Sequence, residues 1–263
     1  MRKAVLRWLV PWASLMLALA AWEAVVRMQR IPPYILPAPT LVAATLWANL
    51  GSLLPSWWFT VKVTGLALLL AVAGGVLLAV LFAMSRWVER ALYPFAVVLQ
   101  VTPVIAIAPL ILIYVDDTLA ALLLCAWIVA FFPILVGTAT GLKSADRNLR
   151  DLLRLYRASR WQTLCRLLVP SALPYFIAGL RVAGGLALIG AVVAEFTAGA
   201  AGRETGLASR ILEASFRTEI PRMYAALVLV SLTGVLIHAT LGLLARALLG
   251  RWHESETRPG DGL

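Results

Sequence analysis

Few side chains in this 263-residue chain have types and spacing that could do chemistry, and their arrangement excludes most kinds of it. No G-x-x-x-x-G-K-[ST] stretch is present to cradle the phosphates of a nucleotide. The His, Cys, Asp and Glu residues show no metal-ligand spacing, and Ser, His and Asp form no nucleophilic pattern. Cys125 lies in an apolar run and Cys165 in a basic one, so both read as free thiols. What remains is Glu195 and His238, each inside a long apolar stretch, and the adjacent pair Asp116 and Asp117. The expectation is a chain with no catalytic residue, no metal and no cofactor of its own.

Glu195 is the most informative of these. It continues a series of small residues four apart, Gly179, Ala183, Ala187 and Ala191, which marks a helix face that lets another helix approach closely. An ionisable side chain in mid-bilayer costs about 2.5–3.5 kcal/mol on insertion scales. Glu195 therefore either reaches to the outer interface or faces a helix bundle and polar cargo. His238 is a candidate proton relay on the same reasoning, and a neutral imidazole bonded to a neighbouring carbonyl is the simpler reading. Asp116 and Asp117 read as a solvated turn.

The elements that position these groups must live in a bilayer. The chain is 62% hydrophobic and 14% charged, against about 45–50% and about 25% in soluble domains. Its net charge of +10 is interleaved with apolar runs rather than gathered on a soluble domain, which fits a positive-inside bias and not nucleic-acid binding. Six membrane-spanning helices are predicted, at about 8–26, 61–84, 91–115, 119–140, 173–198 and 223–249, in a single domain over residues 1–253. A disordered tail is expected at 254–263. Arg2, Lys3, Arg7, Arg86, Arg90, Arg246, Arg251 and Arg258 place both termini in the cytoplasm. The first apolar run also has a small-residue cleavage site near Ala20, but it continues past that point, so retention as a span is expected.

Two departures from plain helix are expected. In the IPPYILPAPT stretch, Pro32, Pro33, Pro37 and Pro39 impose an extended external path to a short helix capped by Thr40. In the third span Pro94, Pro103 and Pro109 disturb the helix, and broken helix in a bilayer is tolerated only beside protein or a water-lined cavity. Thr102, Pro103 and Glu195 are therefore candidates for lining a translocation path.

The one long polar stretch runs from Lys143 to Pro174 and carries Arg147, Arg150, Arg154, Arg157, Arg160 and Arg166 against Asp146 and Asp151. Leu149, Leu152, Leu153 and Tyr156, then Trp161, Leu164, Leu167 and Leu168, recur at helical spacing and predict two short amphipathic helices. Pro170 and Pro174 are expected to end the second of them and start the fifth span. Such a basic pair either docks on a partner or lies on anionic lipid.

This loop resembles that of the permease subunits of ATP-binding-cassette importers, whose pattern is E-A-A-x-x-x-G-A followed further on by I-x-L-P. Asp151, Leu152, Leu153, Arg157, Ala158, Leu167, Val169 and Pro170 stand at those positions. The wording from Arg154 to Gly199, with IPPYILPAPT upstream, is similar to the branch serving nitrate, sulfonate, taurine, pyrimidine thiamine precursors and riboflavin. The segment from Gly206 to Phe216 resembles a short helix of that family.

The resemblance implies an all-α integral membrane fold, the type I importer permease with cytoplasmic coupling helices, in a bacterial plasma membrane. It implies a second permease copy, two cytoplasmic ATP-binding subunits and an extracytoplasmic solute-binding protein as partners. Asp151, Arg157, Ala158, Ser159, Trp161 and Leu164 would then seat on the ATPase. Arg157 stands where the family has a helix-breaking glycine, so either the corner stays helical or Arg157 gains a contact on the partner. The competing readings are an ion-coupled secondary transporter, which would use Glu195 or His238, and a membrane-embedded enzyme, which would need clustered acidic or His residues.

Overall fold

The computed structural model describes residues 2–199 and 205–249, with side chains from residue 9 onward. The expectations on Arg2, Lys3, Arg7, Arg251, Arg258 and the 254–263 tail lie outside the described side chains. Every regular element among the described residues is helical. Five helices are long and apolar enough to cross a membrane, and a bent pair makes six if it counts as one span. The described residues pack as two compact units, Met1–Trp58 with Gly199–Ser231 and Phe59–Ala198 with Leu232–Leu263.

The first unit contains α1 (Arg2–Met28), α2 (Pro39–Ala48), the beginning of α3 (Leu50–Met84), α10 (Leu207–Phe216) and the beginning of α11 (Ile220–Leu249). After α1 the proline-rich stretch is not extended throughout as expected: it turns at 33–35, where the Ile35 and Leu36 N–H groups reach the Pro32 carbonyl at 2.9 and 3.2 Å. Its link to α2 is polar: Glu23 accepts the Thr40 backbone N–H at 3.1 Å and the Thr40 hydroxyl at 2.8 Å, while Arg27 Nε donates to the same carboxylate at 2.6 Å. Thr40 therefore does not cap α2. The helix starts one residue earlier, at Pro39 after Ala38, because proline at the first position has its φ preset and lacks an N–H that would be unpaired there anyway. Leu53, Leu207, Ala225 and Ala226 form the core of this unit.

A second correction concerns α3. The predicted span began near residue 61, whereas the helix begins at Leu50 and runs for 35 residues. Pro55 sits close enough to its start to be accommodated. Trp47 and Trp58 are exposed, as side chains of an interfacial belt would be.

The second unit holds the rest of α3, then α4 (Arg86–Val101), α5 (Val104–Tyr114), α6 (Thr118–Lys143), α7 (Arg147–Leu155), α8 (Arg160–Thr163), α9 (Val169–Ala198) and the end of α11. Its spine is the pair α6 and α9, which pack at backbone contact. A Cβ on Gly179 would lie 2.5 Å from the Pro133 carbonyl oxygen, one on Gly141 2.7 Å from Ala172 Cα, and one on Gly137 2.8 Å from the Tyr175 carbonyl oxygen. Ala183, Ala187 and Ala191 of the small-residue series read on α9 are buried, and Gly179 at its start meets Gly137 of α6. Asp117, expected to be a plain turn residue, caps α6 by accepting the Ala120 N–H at 2.7 Å.

Pro170 and Pro174 do not separate the loop from the fifth span. Helix continues from Arg160 to Ala198 through a wide π turn at Leu164–Leu168, where the Val169 N–H reaches back to the Leu164 carbonyl. That widened turn lies directly before Pro170, whose ring would clash with a carbonyl in a regular preceding turn.

Candidate functional site

Of the three prolines in the third span, only Pro103 breaks the helix; Pro94 and Pro109 sit inside α4 and α5. Thr102 has ψ 120° and Pro103 ψ 112°, extended values that turn α5 away from α4 by 102°. The residue before a proline favours extended backbone, and the β-branched pair Val101 and Thr102 has little helical preference to resist it. The Thr102 hydroxyl turns back to the Val98 carbonyl at 2.7 Å. No side chain caps the start of α5.

This break opens on a cavity of about 480 Å³ walled by α4, α5, α6 and α9. Thr102 and Pro103 line it, together with Gln100, Phe132, Ile189 and Gly190. Gln100 and Gly190 were not foreseen. Gln100 left a signal, an amide two residues before the break in an otherwise apolar span. Gly190 left less, because its role is to admit the α6 backbone: a Cβ there would meet Ala126 Cα at 2.9 Å.

Glu195 is not among the residues lining this cavity. It is 0% exposed and accepts the Thr60 hydroxyl of α3 at 2.8 Å. It is buried and does not reach the outer interface, and it does not line this cavity. His238 is on the exposed side of α11.

The polar loop forms a helix, a corner and a second helix. Asp146 caps α7 through the Asn148 and Leu149 N–H groups at 2.6 and 3.4 Å. Helix α7 ends in a Schellman turn, with Arg157 N–H on the Arg154 carbonyl and Ala158 N–H on the Leu153 carbonyl, both at 2.9 Å. Arg157 takes φ +52° to close it. The corner therefore breaks where the family glycine would stand, and it does so with an arginine.

Ser159 then starts the next helix with a reciprocal capping box: its hydroxyl accepts the Gln162 N–H at 3.1 Å and its own N–H reaches Gln162 Oε1 at 2.7 Å. Asp151 is exposed and pairs with Arg154 at 3.1 Å. Ala158 is half-buried beside the corner, and Trp161 is 65% exposed. Leu164 requires correction. It is only 3% exposed and belongs to the core with Ala172 and Leu180, because the π turn points it inward. The outward apolar residues of the corner are Leu155, at 82% exposure, Tyr156 and Trp161.

No group of His, Cys, Asp and Glu residues able to hold a metal occurs among the described residues. The site thus comprises a jointed span over a cavity and an apolar, basic-rimmed corner.

Known proteins share both the sequence and the fold. The pattern of the family described as "Binding-protein-dependent transport system inner membrane component" matches residues 71–250. The riboflavin transport system permease protein RibX of Chloroflexus aurantiacus is 38% identical over 250 residues, covering 92% of this chain and 89% of that one. The formylaminopyrimidine transport permease protein ThiX of Halalkalibacterium halodurans is 34% identical over 242 residues, 92% of this chain and 95% of the relative. Among solved structures, the crystal structure of an amino acid ABC transporter with histidines superposes with a TM-score of 0.58 at 17% identity, covering 78% of this chain and 94% of that one.

Proposed function

This chain belongs to the binding-protein-dependent transport system inner membrane components, a family of importer permeases with the type I fold, and we propose that it couples a solute path to ATP hydrolysis in partner subunits. It is a multi-pass membrane transport subunit, and its relatives are named as permeases rather than as enzymes. The observation that carries the coupling role is the corner after α7. Leu155, Tyr156 and Trp161 are exposed there, and so are Arg154, Arg157 and Arg160, their neighbours in sequence.

Large exposed apolar side chains ringed by cations are what an interface anchor with an orienting rim requires. In this reading Asp151, Arg157, Ala158, Ser159 and Trp161 seat in a groove on a cytoplasmic ATP-binding subunit. Two such subunits serve a homodimer of the permease, both termini lie in the cytoplasm, and an extracytoplasmic binding protein delivers the solute. Residues 1–253 act as one permease domain.

The solute passes the cavity at the Thr102–Pro103 break, and Glu195 holds the bundle beside that path. The cavity wall is mostly apolar, with Gln100, Thr102 and the uncapped start of α5 as its polar features. Such a wall suits a flat heteroaromatic solute with a few hydrogen-bonding edges. Relatives named for riboflavin and formylaminopyrimidine agree with that choice.

The test is purification of the tagged chain from its own membranes in mild detergent, with mass spectrometry and an ATPase assay on what accompanies it. A nucleotide-binding subunit is expected, and Ala158→Glu and Trp161→Ala should each release it while leaving the permease folded. Recovery of an ATPase-free oligomer, or normal transport by Ala158→Glu at normal abundance, would overturn the docking assignment.

A further inference from the structure

A second cavity, of about 490 Å³, lies in the second unit where the end of α3, the start of α4, the end of α6 and the start of α7 meet. Four cations line it, Arg86, Arg90, Lys143 and Arg150, against the one carboxylate of Glu89. Lys143 is bonded to Glu89. Arg86, Arg90 and Arg150 form no ion pair among the described residues. Arg150 gives one terminal N–H to the Leu142 carbonyl at 2.8 Å, but its Nε–H is buried with no acceptor among the described residues. Buried donors of this kind are nearly always satisfied, so the Arg150 Nε–H has a hydrogen bond to give.

A narrower cleft of about 200 Å³ continues from its floor. Leu142 belongs to both walls. From there each contributing element steps deeper into the span: α3 from Phe82 back to Val80 and Val76, α6 from Leu142 back to Thr138, and the π turn and α9 from Leu168 on to Phe176. The cleft wall is otherwise apolar. Outside it, Leu77, Leu81 and Met84 are exposed on the same end of α3, and Trp87 is 80% exposed between Arg86 and Arg90. A tryptophan there, between arginines and an apolar surface, marks the depth of lipid headgroups.

A soluble phosphate would satisfy the cations and leave the cleft without a function. A protein carboxylate would come from the water side and have no part to insert. We infer that the cavity and cleft together bind one anionic glycerophospholipid, its phosphate among Arg86, Arg90 and Arg150 and one acyl chain between Val80, Leu142 and Phe176. Basic pockets between spans are established in other membrane proteins as headgroup sites. The inference goes beyond the coupling role and is independent of it, since it uses neither the corner residues nor an ATPase.

The test uses the full chain in detergent micelles titrated with brominated lipids, which quench nearby tryptophan; the Trp87→Phe variant isolates the Trp87 signal. Dibromo-phosphatidylglycerol should quench Trp87 at lower mole fraction than dibromo-phosphatidylcholine. The variants Arg86→Gln and Arg90→Gln should each weaken the anionic lipid roughly fivefold, and Val80→Phe, which fills the cleft, should abolish saturable quenching. Equal quenching by the two lipids would overturn the inference, as would a preference that survives loss of both arginines. Competition by inorganic phosphate with no effect of Val80→Phe would assign the cavity to a soluble anion instead and equally overturn it.

Discussion

Arg157 holds a backbone conformation that disfavours every residue with a Cβ, at about 1–2 kcal/mol. Arg30 and Thr218 do the same at the ends of α1 and α10, each closing a turn of the same form. Arg157→Gly should therefore keep the corner and raise stability by about 1 kcal/mol, read as a higher midpoint of unfolding in detergent. Arg157→Val should lower it. The sequence marked Arg157 as the departure from the glycine pattern but could not say which way the backbone went, because the turn is fixed by hydrogen bonds to Leu153 and Arg154 rather than by the residue itself. Glu195 was undecided for a related reason: the partner hydroxyl, Thr60, is on another helix. Glu195→Gln should keep the Thr60 bond and the fold, whereas Glu195→Leu should destabilise by about 1–3 kcal/mol. A difference of less than a few tenths between the two variants in chemical unfolding would contradict that.

Elements show the same division between what is local and what is not. Apolar run lengths located five helices able to cross a membrane and one bent pair, and the helix starts moved most, α3 to Leu50 and α4 to Arg86. Pro39 starts a helix, Pro55 sits inside the first turns of α3, and Pro170 follows a π turn, so a proline read in isolation gives a boundary that its neighbours can override. The α6 glycines passed unnoticed because their partner positions lie about forty residues away on α9. Gly179→Ala should cost about 1–3 kcal/mol by overpacking against the Pro133 carbonyl, while Gly185→Ala, with nothing within 4 Å, should be neutral or stabilising by helix propensity. Thermal unfolding of the two variants side by side checks this.

Helix α10 supplies the pH dependence. The Arg210 hydrogen bond, with Arg217 and Arg222 nearby, holds the Glu213 carboxyl below the usual carboxylate range, and Arg210 also reaches the Ser56 hydroxyl at 2.9 Å. A depressed folded-state pKa means that the native state favours the ionised form. The stabilisation is complete above the ordinary glutamate value of about 4.3 and is lost as pH falls through the lowered one. The protection of the α10 amides, taken relative to their intrinsic exchange rate at each pH, should therefore fall at acid pH, and Glu213→Gln should remove that dependence.

At the scale of the whole chain, the two cysteines report orientation without engineering. Cys165 is exposed in the loop and Cys125 is buried within α6. A membrane-impermeant maleimide should label Cys165 in inside-out vesicles stripped of peripheral subunits, with Cys125 unreactive and right-side-out vesicles silent. Labelling in right-side-out vesicles would reverse the proposed topology. Composition and charge were enough to give the class of molecule, and the motif residues of the 143–174 loop gave the resemblance to its family. They could not give the cavity, whose wall is assembled from four helices that are adjacent only in space.

That wall has a mechanical asymmetry. On one side α6 and α9 meet backbone to backbone, with no side-chain layer between them that could slip by changing rotamers. On the other, α4 and α5 are separate rods meeting at a joint of two extended residues. A vice built this way has one fixed jaw and one hinged jaw. On the proposed solute path, opening would be a swing of the short rods about Thr102 and Pro103, so a distance probe spanning α4 and α5 should move through the transport cycle while one spanning α6 and α9 stays still.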